Sequence, residues 1–236
     1  MTKEEFYNYL KGNLNIIITE NQKVKLEKYA NILIEYNKHT NITAITKLED
    51  IYLKHFYDSI SLVKGIDLTK SMNVLDIGSG GGFPGLVLAI MFPNLNITLL
   101  DSNHKKSDFQ KYVINELEIG NVIVENKRAE DFYKDGNKYD LVVARAVAVL
   151  PILTELCLPF VATNGYFIAM KGESDELNDS LYAIDYLGGV LDKKVSFKLP
   201  IIDSVRNLYV IKKIKITPKN YPRSYNKILK SPLIKK

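Results

Sequence analysis

The feature of this sequence that most restricts its fold is a regular alternation of apolar and amphipathic runs from Met72 onward. Apolar runs of strand length lie at residues 73–77, 97–100, 122–124, 141–144 and 165–170, with helical patterns at 84–92, 104–117 and 150–160. Such alternation produces parallel βαβ units with helices on both faces of one sheet. Two further strand-like runs, 193–199 and 208–216, would close the sheet as an antiparallel hairpin. The sequence therefore predicts an α/β fold with a doubly wound, mostly parallel seven-stranded sheet.

The residues before this alternation have a helical pattern. Apolar side chains recur at steps of three and four residues, which places them on one helix face: Leu26, Tyr29, Ala30, Leu33 and Tyr36. A second helical stretch covers residues 48–63. We therefore expect a helical extension at 1–66 packed on the core, an α/β domain at 67–216 and a basic tail at 217–236.

A glycine-rich turn follows the first predicted strand. Residues 76–85 read DIGSGGGFPG, with five glycines between a strand and a helix. Glycine allows a tight turn and lets a ligand lie against the backbone, and ligands of open parallel sheets bind outside the carboxyl ends of the strands. Asp101 directly follows the second strand, where a carboxylate can hold a ribose diol. The alternative role for Asp101 or Ser102 is to cap the next helix.

Two cofactors fit these elements, a nicotinamide dinucleotide and S-adenosylmethionine. The dinucleotide fingerprint needs a third glycine where this chain has Phe83. S-adenosylmethionine has no pyrophosphate, so a bulky residue is tolerable there, and Asp76 can hold its methionine amine directly or through water. After the third strand, the Ala129 amide and the Glu130 carboxylate can read an adenine, although a surface helix turn would look the same. These residues favour S-adenosylmethionine.

Cysteine content and terminal composition restrict the location of the protein. The only cysteine, Cys157, lies in an apolar run, so this chain has neither a disulfide framework nor a cysteine metal cluster, and we predict no metal site. The N-terminus lacks the order of a signal peptide, and no run approaches the roughly 18 apolar residues of a membrane span. We therefore expect a cytoplasmic protein without membrane contact, and a monomer.

The positive charge is concentrated at one end of the chain. The formal net charge is +5, yet residues 204–236 contain ten Lys or Arg and no acidic residue, which leaves −5 for residues 1–203. This one-signed stretch is either a phosphate-binding surface or a solvated edge strand and tail.

Motifs along most of the chain resemble the glucose-inhibited division protein B family, the guanine-N7 methyltransferases of 16S ribosomal RNA. The similar segments are 41–43, His55, 58–59, 76–85, 101–102, 105–106, 128–130, 144–146, 171–172, 221–223 and 231–233. The resemblance implies a Rossmann-like class I methyltransferase that uses S-adenosylmethionine and modifies a guanine near the decoding site of the small ribosomal subunit. It implies cofactor contacts from Gly78, Phe83, Asp101, Ser102, Ala129, Glu130 and Arg145.

The chemistry of such a transfer agrees with the residues present. The methyl group is already activated, and guanine N7 has no proton to lose, so we predict no general base and name no catalytic residue. Arg145 lies at the end of a buried strand, where its charge must have partners. Its possible roles are to form a structural ion pair, to orient the cofactor, or to bind a phosphate or the guanine. The candidate RNA contacts are Lys105, Lys106, Arg145, Lys171, Arg206 and Arg223.

Other readings of the same residues stay open at this point. His55 and Asp58 lie three residues apart, and we assign them to structure or RNA contact rather than to a catalytic dyad. The alternatives for the whole chain are a small-molecule methyltransferase, an NAD-dependent oxidoreductase or a non-catalytic RNA-binding module.

Overall fold

The predicted strands form one seven-stranded sheet in the computed structural model, which describes residues 1–174 and 176–235. The strands are β1 (Met72–Ile77), β2 (Leu95–Leu100), β3 (Val122–Glu125), β4 (Tyr139–Arg145), β5 (Val161–Lys171), β6 (Gly189–Lys198) and β7 (Val205–Lys213). Their order across the sheet is β3-β2-β1-β4-β5-β7-β6. Strands β1 to β5 are parallel, and β7 pairs antiparallel with β5 and β6. The predicted sheet and its closing hairpin are confirmed.

The direction in which the sheet is built reverses between β1 and β4. From β1 the chain moves outward to β2 and β3, and it then places β4 on the other side of β1. The loops that leave β1 and β4 therefore run apart, which opens space at the carboxyl ends of these strands. Because β7 is antiparallel, its first residues come to this same edge, where Asn207 pairs with Lys171.

Helices cover both faces of the sheet. They are α1 (Lys3–Leu14), α2 (Glu20–Asn37), α3 (Leu48–Asp50), α4 (Asp58–Ile60), α5 (Gly85–Met91), α6 (His104–Leu117), α7 (Ala129–Phe132), α8 (Leu150–Cys157), α9 (Leu177–Tyr186) and α10 (Tyr225–Lys230). Buried residues of α1, α2, α5 and α6 share one apolar cluster with one face, and those of α7 to α10 share a second cluster with the other face. Adjacent residues of β1 alternate between them, Val74 in the first and Leu75 in the second.

The N-terminal helices begin at recognisable signals and bury the predicted face. The side chains of Thr2 and Thr19 each accept a hydrogen bond from the backbone N–H three residues later, in capping boxes with Glu5 and Gln22. The apolar stripe of α2 is buried as its spacing predicts, at Leu26, Tyr29, Ala30 and Leu33. These helices therefore share a continuous core with the sheet.

The second predicted helical stretch contains an irregular centre. Between α3 and α4 the chain forms a π-helix over Ile51–Tyr57, and a 3-10 turn, Ser61–Lys64, ends the stretch. π-helical turns are rare and often occur at functional sites. This one carries Lys54 and His55. None of the helices at residues 1–174 and 176–235 has the length and apolar character needed to cross a membrane.

Candidate functional site

The glycine-rich loop after β1 has the tight conformation that its composition predicts. Gly78 has a φ of +72°, and a Cβ there would lie 2.5 Å from the Val147 side chain. Gly82 has a φ of +90°, and a Cβ there would lie 2.4 Å from Leu86 and 2.6 Å from the Tyr29 hydroxyl. At both positions only glycine satisfies the backbone angle and the space. The loop therefore packs against α2 on one side and against the segment after β4 on the other.

Asp101 holds this loop from the end of β2. Its Oδ2 accepts a hydrogen bond from the Gly80 amide at 2.8 Å, and its Oδ1 accepts one from the Asn103 amide at 2.8 Å. From α6, the Gln110 side-chain amide donates to the Ser79 hydroxyl and the Gly80 carbonyl. The cap of α6 is Asn103, whose side chain accepts from the Lys106 amide. The alternative that Asp101 or Ser102 caps this helix is therefore wrong.

A crevice opens beside Asp101, and we call it the first crevice. It is lined by Ile77, Gly78, Leu100, Asp101, Ser102, Lys127, Arg128, Ala129, Glu130, Val147, Leu156 and Tyr225. The residues come from the ends of β1 and β2, the segment after β3, α7, the segment after β4, α8 and α10. Five of the seven predicted cofactor residues meet here: Gly78, Asp101, Ser102, Ala129 and Glu130.

Asp76 lies beneath the loop and is not among the residues that line the first crevice. Its Oδ2 accepts a hydrogen bond from the Gly85 amide at 2.8 Å, at the start of α5. Its Oδ1 is buried without a hydrogen-bond partner within the described part of the chain. Burial raises the pKa of this carboxyl to about 7. The structure thus places Asp76 as the support of the loop and the helix behind it.

The other two predicted cofactor residues, Phe83 and Arg145, lie together outside the first crevice. The Phe83 ring stacks on His55, with ring centroids 4.1 Å apart, and on Tyr29, at 5.5 Å. The Arg145 guanidinium lies 5.3 Å from the centroid of the Phe83 ring. Phe83 belongs to the apolar cluster on one face, while Ile77 and the other large apolar side chains of the first crevice belong to the second cluster.

Arg145 instead lines a second crevice at the same edge of the sheet. This second crevice is lined by Ile45, Lys54, His55, Asp58, Arg145, Ala146, Met170, Lys171, Gly172, Ser174 and Arg206. Four of these side chains are cationic and one is a carboxylate. Its elements are the π-helix, α4, the ends of β4 and β5, and the start of β7.

A network of hydrogen bonds organises the second crevice around Arg145. The Arg145 Nη1 donates to the Lys54 carbonyl at 2.8 Å and to Asp58 Oδ2 at 3.0 Å. The other carboxylate oxygen, Asp58 Oδ1, accepts from Arg206 Nε at 2.9 Å. The buried Asp58 is therefore held between two arginines, which satisfies its charge. The structural ion pair considered for Arg145 is present.

His55 is neutral in this network. Its Nδ1 lies 3.0 Å from Arg145 Nη2, and because arginine has only donors, Nδ1 accepts. Nε2 then carries the proton and donates to Thr43 Oγ1 at 3.0 Å. Burial and the adjacent Arg145 charge lower the pKa of His55 to about 3. Lys54 and the packing of His55 were not predicted as parts of a site, because a π-helix leaves no recognisable pattern in sequence. Thr43 was not predicted either, because it lies in the irregular segment between α2 and α3.

The six predicted RNA contacts occupy three separate places. Lys105 and Lys106 are in the first turn of α6, next to Ser102 at the rim of the first crevice. Arg145, Lys171 and Arg206 line the second crevice. There Lys171 Nζ lies 3.0 Å from Glu176 Oε2 and donates to the Ala148 carbonyl at 2.9 Å.

Arg223, the last of the six, is bound to a buried carboxylate. Its Nε donates to Glu155 Oε1 at 2.8 Å and its Nη2 donates to Glu155 Oε2 at 2.6 Å. Glu155 lies on α8 and is fully buried. The structure therefore gives Arg223 a role within the protein.

Only a short segment separates the two crevices. Arg145 and Ala146 line the second crevice, and Val147 lines the first. Ala146 has a φ of +56°, in the left-handed region that non-glycine residues rarely adopt. Strained backbone of this kind is frequent where a chain must turn at a functional site. The two crevices therefore lie on either side of this segment.

Comparison with known proteins finds a family and close relatives. Residues 22–196 match the GidB family model, described as rRNA small subunit methyltransferase G. The chain is 44% identical to ribosomal RNA small subunit methyltransferase G of Lachnoclostridium phytofermentans over 95% of each chain, and 44% identical to that of Bacillus subtilis over 99% of each. A Staphylococcus aureus protein of the same name is 41% identical over the full length of both.

Solved structures share the fold at low sequence identity. TrmN from Thermus thermophilus has a TM-score of 0.54 and 15% identity, over 69% of this chain and 53% of that one. TYW2 of M. jannaschii, in complex with AdoMet, has a TM-score of 0.51 and 16% identity, over 62% of this chain and 71% of that one.

Proposed function

This chain belongs to the GidB family, rRNA small subunit methyltransferase G, and from that premise we propose that it transfers a methyl group from S-adenosylmethionine to N7 of a guanine in 16S ribosomal RNA, near the decoding site of the small subunit. The observation that carries the proposal is the pair of crevices at the carboxyl edge of the sheet, divided only by residues 145–147. The first crevice offers an apolar wall with the carboxylates of Asp101 and Glu130 as well as Lys127 and Arg128, and the second offers four cationic side chains and one carboxylate. A methyl donor and an RNA base need these two kinds of surroundings.

The first crevice fits S-adenosylmethionine. Asp101 stands in its wall, and a carboxylate oxygen that accepts one backbone N–H keeps a lone pair for a ribose hydroxyl. Ile77, Leu100 and Leu156 offer apolar surface for an adenine ring. The Glu130 carboxylate stands at the rim, where it can accept from an adenine amino group. When bound, this cofactor supplies a methyl group on a positively charged sulfonium that is already activated for transfer.

The second crevice would hold the target guanine and the phosphates beside it. Lys54, Arg145, Lys171 and Arg206 bring cationic donors to its walls, and arginine is suited to planar recognition of phosphate and of guanine O6. Since guanine N7 carries a lone pair and no proton, the residues here orient the base and remove no proton. The neutral state of His55 agrees with this role, because its Nδ1 is occupied by Arg145.

The rigid network around Arg145 explains how the base would be positioned. In-line transfer requires near-contact distance between the two reacting atoms, and small displacements lower the rate strongly. Arg145 is fixed by bonds to Lys54, His55 and Asp58, so a base that contacts it has one defined position relative to the first crevice.

Incubation of the purified protein with labelled S-adenosylmethionine and small subunits that lack the modification tests this proposal. We expect label in the 16S RNA, and chemical cleavage at N7-methylguanine at one site. Calorimetric titration should show binding of S-adenosylmethionine and none of NAD. Binding of NAD alone, or label at an exocyclic nitrogen or a ribose hydroxyl instead of N7, would contradict the proposal.

A further inference from the structure

The C-terminal residues 221–230, which we call the C-terminal strap, lie against the first crevice. Tyr225 begins α10 and is one of the residues that line this crevice. Its ring is partly buried against the apolar cluster that includes Ile77, Leu100 and Leu156. Ile228, one turn further along, is fully buried in the same cluster. The strap is therefore packed on the protein through apolar contacts, although its sequence is basic.

An ion pair anchors the start of the strap. The fully buried Glu155 accepts three hydrogen bonds from Arg223: from the backbone amide at 3.0 Å, from Nε at 2.8 Å and from Nη2 at 2.6 Å. Hydrogen bonding to Glu155 raises the pKa of the Arg223 guanidinium above its usual value. A buried carboxylate without such a partner would be strongly destabilising, so the strap is held in place by the charge of Glu155.

A second polar contact joins the strap to the crevice itself. The Tyr225 amide donates a hydrogen bond to Glu130 Oε1 at 3.1 Å. Glu130 lies on α7, directly after the segment that follows β3. The strap thus fixes the Glu130 carboxylate, and Glu130 and Tyr225 both line the crevice.

We infer that Tyr225 is a cofactor-binding residue, and that the C-terminal strap is the wall of the first crevice that contacts the adenine of S-adenosylmethionine. The inference rests on the proposed function of that crevice. Asp101 would hold the ribose, and Ala129 and Glu130 of α7 and Tyr225 of α10 line the same crevice. An aromatic ring against an apolar wall offers a flat surface on which an adenine can stack.

Calorimetry on the full chain with two ligands, S-adenosylmethionine and adenosine, tests the inference. Tyr225→Ala should raise the Kd of both ligands by the same factor, about tenfold, because the lost contact is to the shared adenine. Tyr225→Phe, which keeps the ring, should stay within about twofold of the wild type. Tyr182→Ala is the matched control, since Tyr182 is an exposed tyrosine of α9 outside the crevice, and it should change neither Kd.

The possible outcomes separate this inference from the proposed function. If the wild type binds S-adenosylmethionine and Tyr225→Ala binds it equally well, the inference is overturned while the proposed function stands. If the wild type does not bind S-adenosylmethionine, the proposed function is overturned, and the inference that rests on it is overturned with it. A rise in KM for the small subunit with unchanged cofactor Kd would make the strap an RNA contact and would overturn the inference. Should Tyr225→Ala fail to fold, Tyr225→Leu keeps an apolar side chain without the ring and should show the same loss.

Discussion

The first and second crevices lie at one edge of one sheet, yet they are built in opposite ways. Most of the first is made of segments that follow a strand, while Leu156 of α8 and Tyr225 of the C-terminal strap come from other elements. Its main contact joins Asp101 to Gly80, 21 positions away. The second depends on Asp58, which binds Arg145 across 87 positions and Arg206 across 148. A cofactor site can therefore be formed largely by motifs that are local in sequence, while a substrate site on the same sheet can depend on charged residues that are far apart in sequence.

The largest expected effect would come from removing Arg145. We expect Arg145→Ala to lower kcat/KM for methylation of the small subunit about a thousandfold, because the base loses its fixed contact and Asp58 loses one of its two arginines. The Kd of S-adenosylmethionine should stay within about threefold of the wild type. Steady-state kinetics and calorimetry on the same preparation check both values.

This variant can also break the comparison. The family resemblance implies that Arg145 contacts the cofactor, whereas the structure places it in the second crevice. A loss of cofactor affinity as large as the loss of turnover would show that the two crevices act as one site. Lys193→Gln is the matched control, since Lys193 is an exposed cation in a groove with Met72 and Asp140 at the opposite edge of the sheet.

The second prediction concerns Asp101 in the first crevice. Asp101→Ala should raise the Kd of S-adenosylmethionine about a hundredfold, because it removes the charge-assisted bonds to the ribose and releases the Gly80 amide. Asp140→Ala is the control: its Oδ2 accepts a backbone hydrogen bond of the same length, 2.8 Å, from the Asn73 amide at the opposite edge. Equal cofactor affinity for Asp101→Ala and the wild type would remove Asp101 from the site.

The local nature of the first crevice explains why it could be predicted from sequence. A glycine-rich loop between a strand and a helix, and an acid at the next strand end, have fixed places in a parallel sheet, so Gly78 and Asp101 were found together. The sheet was predictable for the same reason. The contact that Asp76 makes could not be predicted at this level, because its position at the end of β1 does not reveal that its side chain accepts a hydrogen bond from Gly85 beneath the loop.

The second crevice could be predicted only in part. The sequence indicated that Arg145 must have partners, but it did not identify them. Asp58 pairs with Arg145 across 87 positions and with Arg206 across 148, and such pairings depend on the whole topology. The basic C-terminal residues could be interpreted only in part for the same reason. Their charge indicates RNA, but it does not reveal that Arg223 binds Glu155, a residue whose burial follows from the packing of α8.

A third prediction concerns two buried groups, Asp76 beneath the glycine-rich loop and His55 in the wall of the second crevice, whose titrations have opposite effects on stability. Asp76 has its pKa raised by burial from 3.8 to about 7, so between about pH 4 and 7 the folded state keeps a proton that the unfolded state loses, and stability falls as pH rises. His55 has its pKa lowered by burial and Arg145 from 6.5 to about 3, so below pH 6.5 only the unfolded state takes up the proton, and stability falls as pH falls. Between about pH 4 and 6.5 the two contributions cancel.

Single substitutions should reveal each contribution. Relative to the wild type, Asp76→Asn should lose about 1.4 kcal/mol of unfolding free energy for each unit that pH falls, and His55→Gln should gain about as much. Urea denaturation at several pH values between 4.5 and 6.5 measures both slopes. A variant whose stability stays parallel to that of the wild type would show that its group titrates normally in the folded state.

The smallest expected effect is that of Lys105→Gln. It tests whether the RNA-binding surface extends from the second crevice to the first. Lys105 is exposed in the first turn of α6, three positions after Ser102 of the first crevice, whereas Arg206 is half-buried on Asp58 in the second crevice. If RNA spans both, Lys105→Gln should weaken small-subunit binding about threefold and reduce the slope of log K against log salt by about 0.7 to 0.9, the value for one lost phosphate contact. Lys193→Gln, at the opposite edge, should leave the slope unchanged. If Lys105→Gln leaves the salt dependence of binding unchanged, the RNA contacts only the second crevice. Arg145 and Arg206, which are both bound to Asp58, would then have to bind the RNA and also orient the base.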